Sequence, residues 1–295
     1  MVSFIRYKKV YYLISGILAV SSIISLLAFG LNFGIDFTGG SILELDFEQR
    51  PENAVIQEKL ASQDLGEVIV QPTKETEVLL KLKSIDEDAH QRIISSLNEV
   101  SPLTEKRFES IGPLIGRELR EKTMVIVILA VVLMLIYITF SFRRVSRPIS
   151  SWKYGIISIV ALSFDVLVSL GIFSYLGKTY NIQFNLPIVT AILTILGYTI
   201  NDKIIVFDRI RENLLRSQEA SFELVVDKSF VQVLSRSLST GTCTLLVLFF
   251  ILFLGGETLR YFALTLIAGI LIGTYSSLFL AAPLLVSWLN FKRKI

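Results

Sequence analysis

Six stretches of about 20 apolar residues divide this chain, each long enough to cross a hydrocarbon core of about 30 Å as a helix. They fall at residues 10–30, 124–142, 152–176, 186–207, 238–255 and 262–288. No water is available in lipid to satisfy backbone N–H and C=O groups, so such stretches must close their hydrogen bonds internally, as helices do. The composition points the same way: 52% hydrophobic residues and a mean hydropathy of +0.62 exceed what a soluble chain of 295 residues needs. The expected fold is an α-helical integral membrane protein with six transmembrane helices. The last stretch is long enough to tilt or to contain its own cytoplasmic end. Three regions follow: residues 1–30 with the first helix, a polar insert at 31–121, and residues 122–295 with helices two to six.

Lys and Arg in short loops favour the cytoplasm. Arg6, Lys8 and Lys9 precede the first span, and Arg143, Arg144, Arg147 and Lys153 join the second to the third. Arg209, Arg211, Arg216 and Lys228 join the fourth to the fifth, and Lys292, Arg293 and Lys294 end the chain. The opposite short loops hold only Lys178 and Arg260. Both termini are therefore expected in the cytoplasm and the polar insert outside it. This topology accounts for the net charge of +3, which gives no reason to expect nucleic acid. The first span is too long, and lacks a small-x-small site, for a cleaved signal, so an uncleaved anchor is expected.

The insert alternates its periods. Residues 41–47 read as a half-buried strand, 51–64 as a helix with Pro51 in its first turn and Ala54, Val55, Leu60 and Ala61 as its apolar positions, and 67–71 and 77–82 as two strands. A second helix follows at 86–100 with Ile93, Ile94 and Leu97 inward, then a weaker strand at 105–110. Strand, helix, strand, strand, helix, strand is the split βαβ order of ferredoxin-like α+β domains. The single histidine, His90, is expected on the surface of this insert. The single cysteine, Cys243, lies in the fifth span, so no disulfide framework or Cys/His metal cluster is possible. No phosphate-binding G-x-x-x-x-G-K-[ST] loop occurs, and no nucleophile stands with a base. Neither an enzyme nor a bound cofactor or metal is expected.

The chemistry lies in the spans. Asp202 sits five residues before the end of the fourth stretch, where a charge costs roughly 2.5–3.5 kcal/mol to insert. Arg236 lies at a similar depth in the fifth helix, on the antiparallel reading. An Asp202–Arg236 ion pair would lower the cost of burying both, and protonating Asp202 would release Arg236. Asn201 either orients the aspartate or bridges helices. Asp165 is a second buried carboxylate near the middle of the third span. Lys203 need not touch Asp202, since adjacent helical residues point about 100° apart, and its ammonium is expected to snorkel toward the cytoplasm. Gly269, Gly273, Ser276 and Ser277 read as a tight helix-packing run, and Gly34, Gly39 and Gly40 as a turn. Asp208, Arg209, Arg211 and Glu212 read as a solvated charged face.

Five blocks, G-I-D-F-T-G-G (34–40), I-G-P-L-I-G-R-E-L (111–119), G-Y-T-I-N-D-K-I-I-V-F-D-R-I-R-E-N (197–213), S-R-S-L-S-T-G-T (235–242) and G-I-L-I-G-T-Y-S-S (269–277), resemble the SecF subunits of bacterial SecDF protein-export complexes, a family of the resistance-nodulation-division superfamily. The resemblance implies a multi-pass protein of the bacterial cytoplasmic membrane paired with SecD. The SecYEG channel, a YajC-type accessory subunit, unfolded preprotein and membrane lipid are its implied partners. It implies that protons moving inward between the two halves drive export, with Asp202 the proton-responsive carboxylate, Arg236 its charge partner and an aspartate of SecD the third member of the relay. Asn201 and Asp165 are the further candidates for the ion path, Asp165 being placed to pair, to titrate or to hold two helices together. Phe164 stands where the family often has histidine, and Lys203 where a small hydroxyl residue is more usual. Two other readings stay open: a non-transporting scaffold of the channel, and half of a small-molecule exporter, for which the insert is small. The coupling ion, H+ or Na+, is open as well.

Overall fold

The computed structural model describes residues 4–63, 65–141, 151–216 and 221–292. Arg143, Arg144, Arg147, Arg293 and Lys294 lie outside the described residues. A 3-10 turn (Ile5–Tyr7) leads into α1 (Lys8–Phe29), α2 (Ile35–Thr38), β1 (Gly40–Phe47), α3 (Asn53–Ala61), β2 (Ile69–Pro72), β3 (Glu77–Leu82), α4 (Glu87–Asn98) and β4 (Leu103–Ile111). Then come α5 (Pro113–Ser141), α6 (Ser151–Tyr180), α7 (Leu186–Arg216), α8 (Phe222–Leu254), α9 (Glu257–Tyr275), a π-helical turn (Ser276–Ala281) and α10 (Ala282–Lys292). Two compact units result, Phe33–Ile126 and Met1–Asn32 with Val127–Ile295.

The first unit is an antiparallel sheet in the order β2-β3-β1-β4, with each helix joining strands that are not neighbours. That is the ferredoxin-like arrangement. Alternation sends Leu43, Leu45 and Phe47 of β1 to the face where α3 and α4 lie, against Ile56, Leu60, Ile93 and Leu97. Ile42 and Leu79 turn to the other face and pack with Ile35. Helix α3 starts at Asn53 after the extended Glu52, so Pro51 precedes the helix instead of opening it. Its buried residues are Ile56 and Leu60, while Val55 is exposed. The i, i+4 spacing of Ile56 and Leu60 sets the inward face. In α4, Asp86 caps the helix by accepting a hydrogen bond from the Ala89 amide at 2.9 Å.

His90 is buried, against the expectation of a surface residue. Its ring stacks on Phe108 of β4 with centroids 3.9 Å apart, and its nitrogens meet Glu87 Oε1 at 3.2 Å and Glu105 Oε2 at 3.0 Å. A ring with apolar faces and two polar edges can bridge helix and sheet in this way, where sequence shows only a lone polar residue. The turn glycines have a steric reason. Gly39 has φ +73°, and a Cβ there would lie 2.8 Å from Pro113 Cα. A Cβ on Gly116 would lie 2.8 Å from the Gly39 nitrogen. The blocks 34–40 and 111–119 are thus one close backbone contact.

The other unit is helical. Six helices are long and apolar enough to cross a membrane, spanning Ile5–Phe29, Pro113–Ile138, Trp152–Tyr180, Leu186–Arg216, Phe222–Leu254 and Leu259–Leu289. The third, fourth and sixth bury over half of their most apolar window, whereas α1, α5 and α8 leave apolar side chains such as Leu27, Leu133 and Phe250 exposed. Helix α1 meets α6 through small residues: Gly171 abuts Ser22, Ser25 Oγ donates to the Gly171 carbonyl at 3.0 Å, and Ser174 Oγ donates to the Ser25 carbonyl at 2.8 Å. Packing and such hydrogen bonds hold helices together where lipid removes the hydrophobic drive between them.

Candidate functional site

Helix α7 carries Asn201, Asp202 and Lys203 in succession, and the 100° step between neighbours sends them three ways. Asp202 faces α8, where Ser237 Oγ donates to its Oδ1 at 2.7 Å. Its Oδ2 is buried and accepts no hydrogen bond among the described residues. Asn201 is exposed. Lys203 faces α6 and the π-helical turn, with Nζ 2.7 Å from Asp165 Oδ2 and 3.1 Å from Ser276 Oγ.

Two expectations are corrected here. Asp202 and Arg236 form no ion pair among the described residues, and Arg236 is exposed. The depth reasoning survives but the azimuth does not: Ser237 is the residue of α8 that faces Asp202, and Arg236 is turned about 100° from it. Lys203 does not snorkel. Its side chain and that of Asp165 are both 0% exposed. Asp165 lies fifteen residues before Tyr180, and Lys203 seventeen after Leu186, so on antiparallel helices they differ in depth by about 3 Å. The apolar stretch ending at residue 176 cuts α6 four residues short and hides this match. Two opposite charges at one depth on consecutive spans were the available signal.

A buried ion pair persists when the remaining donors and acceptors are satisfied, because desolvation of two ions opposes their attraction. Ser276 meets part of that need: it accepts from Lys203 and donates to the Gly273 carbonyl at 3.1 Å. Ser277 donates to the same carbonyl at 2.7 Å. The π-helical turn begins at Ser276, and turns of this type commonly sit at functional positions. Asp165 Oδ1 and Thr199 Oγ1 remain without a hydrogen bond among the described residues. The small-residue run also has its partner within the chain. Gly273 abuts Thr199, and Gly269 abuts Ile195, so α9 lies directly on the α7 face behind the charges. Beyond the apolar part, α7 continues as a charged helix with Arg209–Glu212 at 2.8 Å, Arg216–Glu212 at 3.0 Å and Arg211–Asp208 at 3.8 Å.

Residues 92–291 match the family described as protein export membrane protein SecD/SecF, C-terminal. The chain belongs to the SecD/SecF family. Residues 24–49 match that family's GG motif, which contains the Gly39–Gly40 turn. A protein translocase subunit SecF of Thermobaculum terrenum is 38% identical, the match covering 98% of this chain and 95% of that one. The protein of that name from Pseudomonas aeruginosa is 31% identical, covering 98% and 92%. Among solved structures, SecDF of Thermus thermophilus, a translocon-associated membrane protein, is 33% identical with a TM-score of 0.85 over 98% of this chain. SecDF in its super-membrane-facing form gives a TM-score of 0.70 over 99%. This SecD/SecF-family chain spans 39% of the length of each of those SecDF chains.

Proposed function

We propose that this chain is the SecF-type half of a SecDF complex that couples inward proton movement to preprotein export across a bacterial cytoplasmic membrane. The observation that carries the reading is Asp202: a carboxylate within a span, one oxygen held by Ser237 and the other buried with no donor among the described residues, in a chain of the protein-export family. A group poised this way takes up and releases a proton without rebuilding its surroundings. Asn201 and Arg236 are exposed on this chain alone, and a SecD-type partner covering them would bring both beside the path of the ion. Asp165 belongs to the same path through Lys203, its neighbour across α6 and α7. Residues 31–121 would work outside the cytoplasm on emerging preprotein, with SecYEG and a YajC-type subunit as neighbours. Residues 1–30 and 122–295 would form the membrane half, with both termini cytoplasmic.

Moving one charge through the membrane yields about 2.3 kcal/mol per 100 mV, enough to bias a two-state element some fifty-fold. The test is export into inverted membrane vesicles under an imposed gradient, comparing wild type with Asp202→Asn at matched levels of assembled complex. Loss of the gradient-dependent increment is expected. An unchanged increment, or one that falls only with the complex, assigns Asp202 to helix bridging through Ser237 and makes the chain a scaffold.

A further inference from the structure

We propose that the groove between α5 and α6 holds one acyl chain of an anionic phospholipid whose phosphate sits at Lys153 and Trp152. The groove has a volume of about 320 Å³ and opens along one side. Val131 and Leu135 of α5, Ile159, Val166 and Leu170 of α6 and Leu196 of α7 line it, and Ser163 is the one polar residue of the lining. Helix α5 meets the helical core through Met134 and Ile138, and one turn beyond Met134 the side chain of Val131 is already exposed. All of these residues lie inside spans, and a single hydroxyl does not satisfy a buried water. Left empty, the walls would lose their dispersion partners on one side. Two apolar occupants exist at that depth, a hydrocarbon chain and a helix of a partner subunit. A ten-residue helix about 10 Å across and about 15 Å long fills about 1,200 Å³, several times the space. With a methylene taken as similar in size to a water molecule, about 30 Å³, the groove takes on the order of ten methylenes. Size therefore selects a chain.

The surface end of α6 selects the headgroup. Steps of seven, eleven, fourteen and eighteen residues return to within about 40° of one direction on a helix, so Trp152 shares its face of α6 with Ile159, Ser163, Val166 and Leu170. Trp152 stands about 10 Å nearer the membrane surface than Ile159. It is exposed and meets Trp288 of α10 edge-on, with ring centroids 5.7 Å apart, as aromatic residues at the level of the headgroups do. Lys153 Nζ lies 6.0 Å from the centre of the Trp152 ring. Lys153 is only 6% exposed, and no carboxylate pairs with it among the described residues. A cation with a packed stem and no counter-ion at the membrane surface attracts the phosphate of an anionic lipid.

The test uses the full chain, alone and with a co-expressed SecD-type partner, reconstituted into vesicles of equal parts dioleoyl phosphatidylglycerol and dioleoyl phosphatidylcholine. After extraction in mild detergent, retained lipids are counted and identified by native mass spectrometry. One retained lipid per chain is expected, with phosphatidylglycerol favoured about fivefold, the effect of one basic side chain near a membrane surface. Ser163→Phe and Val131→Phe, which fill the groove from its two walls, should each lose that lipid. Lys153→Gln should keep it and bring the ratio of the two lipids to about one. If Ser163→Phe does not fold, Val131→Phe, at an exposed position, carries the comparison. Unchanged retention in a folded groove-filling variant makes the lipids a general coat and overturns the proposal. Loss of the wild-type lipid on assembly with the partner overturns it too, giving the groove to a partner helix. A phosphatidylglycerol preference that survives Lys153→Gln sinks the headgroup assignment. The readout is binding, so it is independent of the ion path at Asp202.

Discussion

Replacing Lys203 by methionine removes the charge, nearly keeps the length of the side chain, and strips Oδ2 of its ammonium in a buried carboxylate, Asp165, whose Oδ1 already has no donor among the described residues. Breaking a buried pair from one side costs about 3–5 kcal/mol, whereas replacing both members with neutral groups is often neutral or stabilising. Asp165→Asn/Lys203→Met should therefore be more stable than Lys203→Met alone, with a coupling energy of about 3 kcal/mol, roughly a hundredfold in the unfolding equilibrium. A lysine reaching the lipid headgroups would behave as an exposed charge and show about 1 kcal/mol or less. The assay is reversible denaturation in mixed micelles with increasing dodecyl sulfate. Trp152 and Trp288, whose ring centroids lie 5.7 Å apart, report on the native packing. If the two single substitutions each cost less than about 1 kcal/mol, or their effects add in the double variant, the buried pair does not exist as described.

Gly273→Val should destabilise the helical unit by about 1–3 kcal/mol or more by pushing Thr199, while Gly197→Ala, with open space at its Cβ, should be neutral or slightly stabilising; the same denaturation curves compare them. Gly39→Ala combines a positive φ with a contact on Pro113 Cα, so hydrogen exchange should show lost protection in β1 and β4. In the insert, Thr76 and Lys106 hold the Asp46 carboxyl below its usual range, Lys59 does the same for Glu99, and Gln91 and His90 for Glu87. Folded values below unfolded ones mean that stability is present above the ordinary carboxylate range near 4 and lost as pH falls through the folded values. Hydrogen-exchange protection of the insert should accordingly weaken only below about pH 4, and Lys59→Met should reduce that acid sensitivity.

The spans and the order of elements in the insert were determined by the sequence alone, because both rest on periodicity. A run of about 20 apolar residues has one stable backbone solution in lipid. Alternation at residues 41–47 likewise selects a strand with one face on α3 and α4. Asp202, Asp165 and the small-residue run at 269–277 were also visible, since a polar or small residue in an apolar run stands out without knowing what it touches. Pairings were decided only by the tertiary structure. Sequence gives depth to within a few residues, but the direction of a side chain turns by 100° per residue, and true helix ends exceed the apolar stretch. That is why Asp202 meets Ser237 instead of Arg236, and why Lys203 turns inward to Asp165 instead of out to the interface. His90 escaped for a related reason, since its stacking on Phe108 and contacts with Glu87 and Glu105 join α4 to a strand that no local pattern places beside it. Local chemistry fixes which residues are costly to bury, and packing fixes which partner offsets that cost.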